Sequence, residues 1–185
     1  MTQEEFRQCF WKQYLLLEKD FLATDEYVTI HSSNYATFSN RYVYLFLNIC
    51  SEIDSISDAY CRFLKQDPKI KSIIGKLGVV FEKDESLKNC QVKTKYPYEV
   101  IYRVPFQKVT FNQDSSRASS TDWWQAYNQV KHFRNEKDEN GLPNIRLANL
   151  KNVLDAIGGL YILSKSLYNQ LNSDDIRLED SSLFV

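Results

Sequence analysis

Apolar residues recur at three- and four-residue steps over most of the chain, which is the spacing of one face of an α-helix. The first run is Phe6, Cys9, Phe10, Leu16, Leu17 and Phe21. Thr2 followed by Glu5 has the spacing of a capping box, so a helix is expected to begin at residue 3. The pattern fades in "HSSNYATFSN", residues 31–40, which reads as a loop or short turn. A second stripe, Tyr42, Leu45, Phe46, Ile49, Ile53, Ile56, Tyr60, Phe63 and Leu64, predicts a long helix over about 37–66. After Asp67-Pro68, "KIKSIIGKLGVV" predicts a short helix with Gly75 and Gly78 marking its end.

Residues 82–122 change character. "YPYEVIYRVPFQKVTFNQ" mixes β-branched and aromatic residues with two prolines, which exclude a central strand and predict an extended excursion or a small edge hairpin. "QDSSRASSTD" follows as a flexible link whose Ser120, Thr121 or Asp122 can cap the next helix. That helix, about 122–136, carries "WWQAYNQVKHFRNE" and breaks across "KDENGLPN". A last helix over about 145–171 is marked by Leu147, Leu150, Val153, Leu154, Ile157, Leu160, Tyr161, Leu163 and Leu167. Gly158-Gly159 in its middle points to close approach by another helix backbone. The pattern predicts an all-α fold, an antiparallel helical bundle with an irregular or short β-hairpin insertion around residues 82–120.

Composition alters this little. The length of 185 residues and a hydrophobic fraction of 43% suit one well-buried domain, assigned to residues 1–172. Residues 173–185 form an acidic tail expected to be flexible, although Leu183-Phe184-Val185 at its end has enough apolar surface to dock. With 23 Lys and Arg against 24 Asp and Glu, nucleic-acid or membrane contact would need a local basic patch. Cys9, Cys50, Cys61 and Cys90 make no CxxC pair and no zinc spacing with either histidine, so free thiols are expected. No Gly-rich phosphate loop or nucleophile elbow is present, and neither a metal nor another cofactor is expected. No signal-peptide run and no 18-residue apolar span occur, which suits a cytoplasmic protein without a membrane partner.

The candidate chemistry lies in the 122–136 helix. At roughly 100° per residue, Trp123, Ala126, Tyr127, Val130 and Phe133 share an apolar stripe, with His132 on the far side near Asn128 and Asn135. Trp124 and Lys131 fall between the two faces. On the 37–66 helix, Glu52 lies at the stripe edge in line with Arg41 and Asn48. It reads as a carboxylate paired with Arg41, or as one that holds a polar residue of the later helix.

In order, "SNRYVYLFLNICSEIDSI", "WWQAYNQVKHFR" and "ANLKNVLDAIGGLYIL" resemble the HEPN superfamily, in particular bacterial HEPN-like proteins of defence and toxin–antitoxin type. The resemblance spans roughly residues 37–168. It implies a helical bundle, usually a homodimer, in which an arginine and a histidine a few residues later cut RNA without metal in a cleft shared by the two protomers. His132 matches the histidine, and Asn128 the polar residue that follows the arginine. Tyr127 stands where the arginine is expected, and the nearest arginine, Arg134, comes after the histidine.

Such cleavage needs a base for the 2′-hydroxyl proton and a fixed cation for the phosphate. His132 is the candidate base. Lys131 is the better candidate cation, because the helical arithmetic puts Arg134 near the apolar stripe. The expectation is therefore a HEPN-like endoribonuclease of phage defence or a toxin–antitoxin system, with RNA and an antitoxin or other protein as partners. The alternative is a HEPN-like module without catalysis that binds RNA, nucleotide or protein through the same face. A third reading is a structural helical protein in which Trp123 and Trp124 close a dimer interface.

Overall fold

The computed structural model describes residues 1–65, 72–109, 121–171 and 176–185. Most of the link "QDSSRASSTD" and the start of the tail lie outside the described residues. The first helical rod is α1 (Gln3–Phe6), a π-helical turn (Arg7–Trp11) and α2 (Lys12–Leu22) in direct succession. Its capping box forms as expected: the Glu5 N–H donates to Thr2 Oγ1 at 3.1 Å and the Thr2 N–H to Glu5 Oε2 at 2.7 Å. The buried face differs from the expected stripe. It is Phe6, Trp11, Tyr14, Glu18 and Phe21, while Cys9 and Leu16 are exposed. The π turn inserts a five-residue step after Phe6, which rotates every later position relative to a regular α-helix.

α3 (Asn40–Phe63) buries Tyr42, Leu45, Phe46, Ile49, Ile53, Ile56 and Tyr60, as the pattern predicts. It starts late because Thr37 and Phe38 serve another element. The Leu150 N–H donates to the Thr37 carbonyl at 3.0 Å, and Phe38 bridges Asn149, at the start of α6 (Leu150–Gln170). At the other ends, the Tyr60 hydroxyl lies 2.8 Å from Ser166 Oγ. Starts and ends both meet, so the two long central helices run parallel. The rod runs antiparallel to them, with Phe6 against Tyr168, Trp11 and Tyr14 against Tyr161, and Asp20 paired with Arg41. The antiparallel expectation therefore holds for the rod but not for the central pair, which the long connection between α3 and α6 allows to align.

α4 (Ile73–Lys83) continues through Gly75 and Gly78 instead of ending there. Ile73, Leu77, Val80 and Phe81 are buried, and this packing outweighs the low helix propensity of glycine. Lys76 ties α4 to α3, its Nζ 2.8 Å from Asp54 Oδ1 and 3.4 Å from Asp58 Oδ1.

The insertion contains the expected hairpin: β1 (Val92–Lys93) pairs antiparallel with β2 (Tyr102–Arg103). The end of the chain adds to it. The Lys95 N–H donates to the Leu183 carbonyl and the Val185 N–H to the Lys93 carbonyl, each at 3.0 Å, with Thr94 bridging Phe184. Leu183 and Phe184 are buried, so the apolar end of the tail docks on the bundle, the course its composition left open.

The glycine pair explains how the insertion seats on α6. A Cβ on Gly158 would lie 2.9 Å from Val92 Cγ2 and 3.3 Å from Pro105 Cγ, and one on Gly159 would lie 3.0 Å from Phe106 Cζ. Side chains of the insertion approach here, not another helix. Gly158→Leu is accordingly expected to lower stability by about 1–3 kcal/mol in urea unfolding, despite its better helix propensity. A stabilised variant would show that Val92 and Pro105 move aside freely.

Candidate functional site

The helix carrying the candidate residues, α5 (Asp122–Phe133), starts at Thr121, whose Oγ1 accepts the Trp124 N–H at 3.2 Å. Trp123, Ala126, Tyr127 and Val130 are buried. Trp123 also donates its indole N–H to the Pro105 carbonyl at 2.8 Å, which fixes α5 to the insertion. Trp124 is half-buried, its ring 4.8 Å from that of Tyr127, and Tyr127 meets Phe46 of α3 edge-on at 6.0 Å. The tryptophans thus pack mainly within the chain.

Phe133 departs from the expected stripe and is 43% exposed. The helix ends there rather than at 136, because the following loop folds back under it. Asn144 donates its side-chain amide to the Phe133 carbonyl at 3.0 Å and to Gln129 Oε1 at 3.2 Å. The Ile145 N–H reaches the Arg134 carbonyl at 3.2 Å, and the Asn144 N–H the Glu136 carbonyl at 2.9 Å. The turn is closed by Asp138, which accepts the Leu142 and Asn140 N–H groups at 2.9 Å and pairs with Arg146, with Gly141 at φ +75°. Those bonds hold the Asp138 carboxyl below its ordinary range, the Leu142 N–H foremost. "KDENGLPN" is therefore a built support for the histidine-bearing end of α5.

On the outer side, Asn128 is half-buried, and Lys131, His132, Arg134 and Asn135 are exposed. The His132 side chain makes no hydrogen bond or ion pair with a described residue; its ring lies 6.0 Å from that of Phe133. The Lys131 ammonium lies 5.4 Å from the Tyr127 ring centroid, within cation–π range. It also lies near the buried Cys50 thiol, whose ionisation burial nevertheless pushes well upward. Asn128, Lys131 and His132 share the exposed side of one helix. Tyr127, at the position expected for a cation, is turned into the core.

Glu52 does not join them. It lines a groove between α2 and α3 with Gln13, Leu16, Tyr44 and Asn48. At 100° per residue it lies about 120° round α3 from Phe46 and about 160° from Cys50, the residues that face α5. Arg41 pairs with Asp20 at 2.9 Å, so the expected Glu52–Arg41 pair is absent. Burial raises the Glu52 carboxyl above its usual range.

A second polar cluster was not foreseen. Asp155 on α6 is 4% exposed and accepts hydrogen bonds from Nε and Nη2 of Arg103 of β2, the second at 2.7 Å, and from Lys151 at 3.1 Å. The Arg103 guanidinium also lies 5.6 Å from the Tyr35 ring. An acidic residue inside the apolar run "VLDAIGGLYIL" was the available signal. Among the described residues, no group of three or more His, Cys, Asp or Glu is arranged to hold a metal ion, and no helix is long and apolar enough to cross a membrane. No protein-family model, curated protein or solved structure matches the chain.

Proposed function

We propose that this chain is a HEPN-like protein whose α5 face, Asn128, Lys131 and His132, contacts RNA. One observation carries the reading: an exposed ammonium and imidazole, with a half-buried amide one turn before them, share one side of a helix that is anchored at both ends. Phosphate contacts of this kind need hydrogen-bond donors and a cation held by a firm support. Binding is favoured over cleavage within a single protomer, because Tyr127, at the position expected for the arginine, faces the core and supplies no cation there.

Fluorescence anisotropy with a labelled single-stranded RNA tests this. Lys131→Ala is expected to weaken binding several-fold and to reduce the slope of log affinity against log salt by about 0.7, one phosphate contact on a single strand. An unchanged slope would remove Lys131 from the interface.

The second reading, endoribonuclease activity in a homodimer, rests on the His132 side chain having no hydrogen-bond or ion-pair partner among the described residues. An imidazole with both ring nitrogens open can accept a 2′-hydroxyl proton when a second protomer supplies the cation. If this holds, His132→Ala abolishes cleavage while leaving most of the RNA affinity; equal cleavage by the two proteins rejects it.

A further inference from the structure

The β1–β2 hairpin presents a second surface that the α5 reading does not use. Its inner side, Val92, Thr94 and Ile101, is buried against the bundle. Its outer side carries Lys93 and Tyr102, which are register partners; Val100 is exposed, and toward the tip Lys95 is half-buried and Tyr96 exposed. Tyr96 is 91% exposed and Tyr102 54%. The Lys93 ammonium lies 5.8 Å from the Tyr102 ring centroid.

Lys93 and Lys95 form no ion pair with a described carboxylate. Glu99, the acidic residue of the hairpin, is directed at the 31–32 turn, where it accepts the Ser32 N–H and hydroxyl and lies 3.5 Å from His31 Nε2. Arg103, at the base of β2, is committed to Asp155. What remains is the exposed Lys93 and the half-buried Lys95, neither in an ion pair among the described residues, beside two exposed phenol rings.

Flat rings that offer a π-face to any base, interleaved with cations at backbone spacing, form the chemistry that single strands select. A duplex hides its base faces and gains only from the lysines. We infer that the outer side of the β1–β2 hairpin is a stacking platform for single-stranded RNA, with Tyr102 and Tyr96 under bases and Lys93 and Lys95 on phosphates. The inference rests on the reading of RNA as ligand and adds a second contact surface to it.

The test uses the full chain, a fluorescein-labelled U12 strand and a 12-base-pair RNA duplex, with affinities measured by anisotropy at two salt concentrations. Tyr102→Ala and Tyr96→Ala are each expected to weaken U12 binding by roughly five- to 150-fold, the range for loss of one stacked base, with little change for the duplex. Tyr102→Phe keeps the ring and should bind as the wild type does. Replacing Lys93 and Lys95 together by Gln should lower the salt slope by about 1.4. Because both tyrosines are exposed, unchanged thermal melting is expected to accompany these losses.

Alanine variants that bind U12 like the wild type, or that lose strand and duplex equally, overturn the platform. Loss in Lys131→Ala with no loss in the tyrosine variants rejects the platform and keeps the α5 reading; the opposite result keeps the platform and rejects α5. A wild-type protein that binds neither RNA rejects both.

Discussion

Asp155→Ala is expected to destabilise the fold by about 3–5 kcal/mol, because it leaves a guanidinium facing the interior without its counter-charge. The Asp155 side chain is 6% exposed and that of Arg103 22%, so solvent screens this pair far less than a surface bridge. The hydrogen bond from Arg103 to Asp155, before any other influence, holds the guanidinium above its ordinary range. Lys151 shares the carboxylate and would lose its partner as well. The loss is read from guanidinium unfolding of the variant. The double variant Arg103→Met with Asp155→Leu separates the cost of an orphaned charge from the worth of the pair: most of the stability should return, since apolar residues of similar size replace a buried ion pair at little cost. A single-variant loss below about 1 kcal/mol would mean that water reaches the guanidinium and the pair acts as a surface bridge.

The elements legible in the sequence are those with one apolar face and a regular repeat. α3 and α6 bury nearly every residue of their predicted stripes, and their ends were misjudged where a tertiary contact overrode the local pattern. Thr37 and Phe38 look helical by composition but pair with the start of α6. The face of the first rod could not be placed by counting, because a π turn adds a residue without changing the amino-acid types around it. Gly75 and Gly78 signal a helix end only while burial is ignored; α4 is buried along most of its length. The parallel course of α3 and α6 depends on contacts more than a hundred residues apart, beyond the reach of any periodicity.

The candidate site was legible in the same limited sense. The arithmetic that put His132 opposite Trp123 and Val130 depends only on helix geometry, and the exposure of Lys131 and His132 agrees with it. It could not tell which flank of α3 receives α5, so Glu52 was a candidate support although it faces α2. The hairpin's Lys93 and Tyr102 become neighbours only through strand register. In the sequence they sit beside the buried Val92, Thr94 and Ile101, and nothing local states which set faces outward.

Glu18→Ala is expected to cost about 3–4 kcal/mol and to release the end of the chain. Glu18 is buried, and its carboxylate accepts the Tyr14 hydroxyl at 2.6 Å, the Ser182 N–H at 2.8 Å, the Leu183 N–H at 3.2 Å and the Ser181 hydroxyl. Burial, reinforced by this carboxylate, pushes the Tyr14 phenol well above its ordinary range. Hydrogen bonds to a charged acceptor are worth about 1.5–3 kcal/mol each, and donors left buried without one add their own desolvation cost. Relaxation of the tail toward water recovers part of that sum, hence the smaller net figure. Glu18→Gln retains an acceptor oxygen and should lose about half as much. Hydrogen exchange locates the effect: the Ser182, Leu183 and Val185 amides should exchange faster in Glu18→Ala at denaturant concentrations where the α3 and α6 amides stay protected. Because the tail bridges the hairpin at Thr94 and Phe184, its release leaves the two strands unsupported on that edge, and a two-stranded hairpin is marginal by itself. If the hairpin is the stacking platform inferred above, single-stranded RNA affinity should fall in Glu18→Ala while duplex affinity holds. Slow exchange at Leu183 in that variant would show that the apolar seat of Leu183 and Phe184 holds the tail without the carboxylate.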